Sequence, residues 1–319
     1  MRIAVTGAGG FIGRRLVAEL QARGRLGSQP IAELILLDQA FHAESGAGPI
    51  PERRIVGDVT APDIRDRMFG HLPDAIFHLA AMLTAGAERE FDQGVHTNLH
   101  GFMELLEACR RQGGIRLIFS SSMAVFGGDL PDVVTDELAQ RPGNSYGVQK
   151  AIAELLIDDY TRRGFLDGRA LRLPVVLLRG SNDTPTLSEH ISAVVREPLL
   201  GRPAISAFYP DTPMPVVSVG AVARAFCTLF ELPTEALGAV RTVNLPALTV
   251  TLDEMVAAVE RRVGSQARGL IDWRPDPKVA DLLTQMPKRI TSARAIAAGI
   301  VAEASFDSVL DDFLANAGR

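Results

Sequence analysis

Short apolar runs bounded by turn residues recur through the first half of the chain. Residues 3–6, 34–38, 54–56, 75–79, 117–120 and 170–173 read as strands. Between them, residues 11–23, 91–111 and 146–163 carry apolar positions at helical period. Alternation of this kind builds βαβ units, so the fold class is α/β, a Rossmann-type doubly wound parallel sheet with helices on both faces. Such sheets bind ligands at the carboxyl ends of their strands. Residues 42–52 (HAESGAGPIPE) predict a surface loop after the second strand. After Leu173 the alternation fades, the turn-forming stretches 181–185 (SNDTP) and 209–215 (YPDTPMP) punctuate the chain, and a helical pattern covers 249–263. The expected division is a sheet domain over residues 1–176, joined by part of 214–246, and a smaller α/β lobe from 177–213 and 247–319 that takes the substrate.

Composition narrows the partners. Of 319 residues 47% are apolar and 22% charged, enough for a large buried core. The formal net charge of −5, without a basic cluster interleaved with aromatics, speaks against nucleic acid. Cys109 and Cys227 are the two cysteines and stand in neither a CxxC nor a Cys/His spacing, which predicts no disulfide framework and no metal site. Without a secretory pattern or an 18-residue apolar run, the chain reads as cytoplasmic and not membrane-bound.

Gly7, Gly10 and Gly13 follow the first strand and open the first helix, the context that a dinucleotide site requires. Glycine lets the backbone turn tightly and approach a pyrophosphate, whose charge meets the helix N-terminus. Asp38 ends the second strand 25 residues after Gly13, where a carboxylate accepts hydrogen bonds from ribose hydroxyls and repels a 2′-phosphate. That favours NAD, although Arg14, Arg53 and Arg54 are sequence neighbours of the site that soften the discrimination.

Tyr146 and Lys150 form a Tyr-x-x-x-Lys pair at the start of a helix, on one face at i, i+4. A phenol with an ordinary pKa near 10 acts as a base near neutrality only if its anion is stabilised, and an adjacent ammonium supplies this. The serine run Ser120-Ser121-Ser122 ends a predicted strand 24 residues before Tyr146. A hydroxyl there can hydrogen-bond a substrate oxygen as it becomes a carbonyl.

The set Thr6-Gly7-Ala8-Gly9-Gly10-Phe11-Ile12-Gly13, Asp58-Val59, His78-Leu79-Ala80-Ala81, the serine run and Tyr146-Gly147-Val148-Gln149-Lys150 resembles the extended short-chain dehydrogenase/reductases of NAD-dependent epimerase/dehydratase type over residues 1 to about 180. The resemblance implies that Gly7, Gly10, Phe11, Ile12 and Gly13 hold the pyrophosphate, Asp38 the ribose, and Asp58 and Val59 the adenine. It places Leu79, Ala80, Ala81 and Pro174 along the cofactor and Asn98 beside its nicotinamide half. It makes Ser122 the catalytic serine that also touches substrate, Tyr146 the general acid/base, and Lys150 the partner of the nicotinamide ribose. It further suggests a homodimer through the helices at 91–109 and 146–160.

Two departures count against the nucleotide-sugar members. Dehydratases of this type place Asp and Glu directly after the catalytic hydroxyl, where Met123 and Ala124 stand here. Epimerases carry an amide in a Leu-Arg-Tyr-Phe-Asn run, where this chain has Leu171-Arg172-Leu173-Pro174-Val175. The stretches around 145–151, 168–174, 196–199 and 272–277 are similar to the D-erythronate dehydrogenase family across essentially the whole chain. That resemblance implies NAD-dependent oxidation of the C2 hydroxyl of a four-carbon sugar acid. The alternatives are a nucleotide-sugar 4-epimerase or reductase and an L-threonine dehydrogenase-like enzyme. A small anionic substrate asks for a cation, and Arg179 and Lys288 are the candidates, Arg179 first because guanidinium binds carboxylate bidentately.

Overall fold

The computed structural model describes residues 1–41, 48–178, 187–277, 279, 283 and 285–316. In chain order the main elements are β1 (Arg2–Thr6), α1 (Phe11–Arg23), β2 (Glu33–Asp38), β3 (Glu52–Val56), β4 (Ala75–His78), α2 (Gly101–Gln112), β5 (Arg116–Ser122), α3 (Ser145–Arg162), β6 (Asp167–Leu173), α4 (Val219–Glu231) and β7 (Thr242–Asn244). Among the described residues these seven strands form one sheet in the order β7-β6-β5-β4-β1-β2-β3, every neighbouring pair parallel. The order reverses between β1 and β4, where a doubly wound sheet opens its ligand crevice.

The central strands are nearly continuous apolar runs because both sheet faces are covered. On one face, Leu16, Val17 and Leu20 of α1 and Val222 and Phe226 of α4 share a core with Ile3, Val5 and Phe77. On the other, Phe102, Leu105 and Leu106 of α2 and Ala153 and Ile157 of α3 cover Ile35, Leu117 and Phe119. A second core lies around strands Val175–Leu177, Pro213–Ser218 and Leu248–Thr251 and helices Leu187–Leu199 and Leu252–Val263, with Ile191, Val195, Val216, Met255 and Val259 at its centre. Among the described residues no helix is long and apolar enough to cross a membrane.

The structure differs from the sequence pattern in several places. The single helix expected over 91–111 is Phe91–Val95, a π-helical turn at His96–His100, and α2. The helix expected from 249 begins at Leu252, because 249–251 pair antiparallel with 213–215 and Thr251 then closes a capping box with Glu254. Strands Val175–Leu177 and Thr242–Asn244 went unread, being three residues each, too short to show a period. Part of the loop expected at 42–52 lies outside the described residues, and its end, Glu52, already belongs to β3.

Candidate active site

The glycine turn sits in the crevice between β1 and its two neighbours. Gly7 has φ 73°, and a Cβ on it would lie 2.8 Å from the backbone nitrogen of Ala80. At Gly13 a Cβ would meet the carbonyl oxygen of Gly7 at 2.0 Å, so helix and turn pack at a distance only glycine permits. Helix α1 then starts without a side-chain cap and without an acidic residue in its first turn. Uncapped N–H groups at a positive helix end, behind a turn cleared of side chains, fit a pyrophosphate.

Around this turn, Asp38 accepts a 2.8 Å hydrogen bond from the Gly9 N–H, so the carboxylate at the end of β2 is tied to the turn itself. Arg14 donates to the Gly9 carbonyl at 3.0 Å, Arg53 pairs with Glu33 and Arg54 with Glu52. Asp58 accepts from Thr60 and Gln39. Val59 is buried in the apolar layer beneath β2 and β3. Phe11, Ile12, Leu79, Ala80 and Ala81 are half-buried at the turn and beyond β4, and Pro174 is buried after β6.

The serine strand and helix α3 meet residue by residue. Lys150 Nζ donates to the Ser120 carbonyl at 2.7 Å, Ser121 Oγ donates to Glu154, and Ser122 is hydrogen-bonded to the Tyr146 phenol. Helix α3 opens on Asn144, whose side chain accepts from the Gly147 N–H at 2.8 Å. Lys150 Nζ also lies 4.4 Å from the Phe119 ring centre and 5.4 Å from that of Tyr146.

Burial sets the charge states of the pair. It pushes the Tyr146 phenol up to about 12, with the Ser122 hydrogen bond opposing. It pulls the Lys150 ammonium down to about 7, with the Glu154 carboxylate opposing. His78, at the end of β4, is lowered to about 3, by burial first and then by Lys150, so it is neutral; its Nδ1 is 2.8 Å from Thr6 Oγ.

Asn98 lies in the π-helical turn and spends its amide on structure: it accepts from Met82 N–H at 2.8 Å, and donates to the Met82 carbonyl at 2.9 Å and to Gln149 Oε1 at 2.7 Å. It clamps the loop after β4 to helix α3. Arg179 lies outside the described residues, and Lys288 is exposed. Gly9, Gly147 and Gln149 stand inside the sequence motifs with no role assigned to them there, and Glu154 stands outside those motifs. Only Glu154 left a signal, an acidic residue four positions beyond Lys150 on a helix face that otherwise points inward.

Residues 3–241 match the model of the NAD dependent epimerase/dehydratase family. The chain is 40% identical to D-erythronate dehydrogenase of Cupriavidus necator, with 100% of this chain and 99% of the relative covered. It is 33% identical to D-erythronate dehydrogenase of Haemophilus influenzae, covering 98% and 99%. Among solved structures, the nucleoside-diphosphate-sugar epimerase from Agrobacterium tumefaciens superimposes with a TM-score of 0.92 at 33% identity, covering 99% of this chain and 94% of that one. The chain belongs to the NAD dependent epimerase/dehydratase family, with NAD as its cofactor.

Proposed function

We propose that this NAD-dependent dehydrogenase oxidises the C2 hydroxyl of a four-carbon sugar acid such as D-erythronate to the 2-keto acid. The observation that carries this reading is the 40% identity to a D-erythronate dehydrogenase along the whole chain. Met123 and Ala124 in place of a dehydratase's acid and base, and Val175 in place of an amide, weigh against dehydration and epimerisation of nucleotide sugars.

In this reading Tyr146 takes the C2 hydroxyl proton and Ser122 donates a hydrogen bond to the same oxygen as it becomes a carbonyl. Lys150 lies within 5.4 Å of the phenol ring and supplies the positive charge that steadies its anion. NAD, held at the glycine turn, would supply the acceptor for the C2 hydride. The Gly7, Gly10 and Gly13 turn, Asp38, and the loop that Asn98 clamps hold the nucleotide, and Arg179 and Lys288 are the cations proposed for the substrate carboxylate. The substrate-binding lobe comprises 177–213 and 247–319. A second copy covers the exposed apolar side chains Phe91, Met103, Val148 and Leu155. The two buried free thiols suit a reducing cytoplasm.

The test is NADH formation from NAD with D-erythronate, L-threonine and UDP-sugars offered separately. Turnover with the tetronate alone supports the reading, and turnover with threonine or epimerisation of a UDP-sugar overturns it. Tyr146→Phe should lose the tetronate reaction while still binding NAD.

A further inference from the structure

One turn beyond Lys150 on the inward face of α3, Glu154 is 2% exposed, yet it is a carboxylate in an apolar layer. A buried charge persists only when paired and hydrogen-bonded. Here Arg172 of β6 donates from Nε at 3.1 Å to both carboxylate oxygens and from Nη2 at 2.7 Å to one of them. Ser121 of β5 and Gln140, from the segment leading into α3, complete the shell. Arg172 is braced in turn by Asn244 of β7 at 3.3 Å and lies 4.9 Å from the Phe126 ring centre. The carboxylate thus ties α3 to β5 and β6, directly behind the serine run.

We propose that Glu154 is a positioning residue for the chemistry at Tyr146: gripped by Arg172 and Ser121, it keeps the helix in register with the serine strand and stands one helical turn from Lys150 as a fixed negative charge that favours its ammonium. The proposal rests on Tyr146 and Lys150 being the working pair. Lys150 needs such a partner, because burial lowers its ammonium to about 7 even with the Glu154 carboxylate opposing, and without that carboxylate nothing holds it there. The other titratable or charged groups around Lys150 cannot replace it. His78 from β4 is neutral, Tyr146 is protonated in the same burial, and Arg172 is positive. The backbone oxygen of Ser120 accepts one hydrogen bond but carries no full charge.

Glu154→Gln keeps the shape and removes the charge. Glu154→Gln with Arg172→Gln also removes the buried guanidinium left behind, and so stands in should the single variant fail to fold. The sequence holds only three lysines, Lys150, Lys278 and Lys288, so isotope-labelled lysine NMR follows the Lys150 side chain on its own once Lys150→Arg has assigned its signal. This readout needs no substrate, so it stands apart from the sugar-acid assignment. The midpoint of the Lys150 titration is expected to fall by about one pH unit or more in Glu154→Gln, and by less in the double variant, where a buried positive charge leaves together with the negative one. In an active enzyme the alkaline limb of the kcat profile moves down with it. A role confined to folding would lower Tm and leave the midpoint in place. A folded variant with the wild-type Lys150 midpoint overturns the proposal, whatever the wild type turns over.

Discussion

Gly147 follows Tyr146 and faces the carbonyl oxygen of Ala124 so closely that a Cβ at this position would lie 2.0 Å from it. Helix α3 therefore rests on the turn after the serine strand at a distance only a glycine allows, and that contact sets how near Tyr146 comes to Ser122. Gly147→Ala has to lift the first turn of the helix by on the order of an ångström. Misplacement on that scale costs about a hundredfold in turnover. We expect kcat to fall by about that factor, while NAD affinity stays within a few-fold because the glycine turn is untouched. Wild-type kcat in Gly147→Ala would mean that the approach does not position the phenol.

Asp38, proposed for the ribose, also serves the turn, since its carboxylate accepts the Gly9 N–H at 2.8 Å. Asp38→Ala removes the clamp and the charge together, and Asp38→Asn keeps an oxygen for Gly9 while removing the charge. A charged hydrogen bond contributes about 1.5 to 3 kcal/mol. Asp38→Ala should accordingly weaken NAD binding by about tenfold or more, measured by calorimetry. Asp38→Asn should lose less NAD affinity and gain affinity for NADP. An unchanged preference for NAD over NADP in both variants would show that selection lies elsewhere.

The strand-and-helix alternation and the glycine turn were legible because each rests on local pattern, period in one case and spacing in the other. The tyrosine and lysine were legible for the same reason. What escaped depends on contacts between segments far apart in sequence. Gly147 matters only because Ala124 lies beneath it, and Glu154 only because Arg172, eighteen positions on, returns in β6. The hydrogen bonds of Asn98 to Met82 and Gln149 have no mark in the neighbouring sequence, because they appear only once the π-helical turn has formed. The end of the third predicted helix shifted by a single residue, whereas the one over 91–111 broke into three, because no residue type marks a widened turn.

His78 gives the fold a defined acid sensitivity. Its imidazole is held at about 3 by burial and by Lys150, against an ordinary value of 6.5 in the unfolded chain. The unfolded chain therefore binds the extra proton first. The stability this difference provides is complete above pH 6.5 and is lost as pH falls toward 3, at up to about 1.4 kcal/mol per unit. His78→Gln keeps a partner for Thr6 and does not titrate. Urea unfolding from pH 6 to pH 4 should show a shallower loss in this variant, by about one proton. Equal slopes would place the imidazole in contact with solvent.

The apolar side chains left exposed on one flank predict how the chain associates. Val148 and Leu155 are seven apart on α3, hence on one face, and are 42% and 64% exposed. Phe91 and Met103, 59% and 43% exposed, lie on the neighbouring helical stretch. Between the two runs a groove of about 560 Å³, lined by Phe91, Val95, Leu99, Val148 and Ile152, accepts side chains from outside. A flank that offers both knobs and a groove is self-complementary across a two-fold axis. Light scattering should give the mass of a dimer for the wild type and of a monomer for Phe91→Asp with Leu155→Glu. Both forms should bind NAD, because the glycine turn lies on other elements. A wild-type chain that stays monomeric at micromolar concentration would sink the association and leave this flank unexplained.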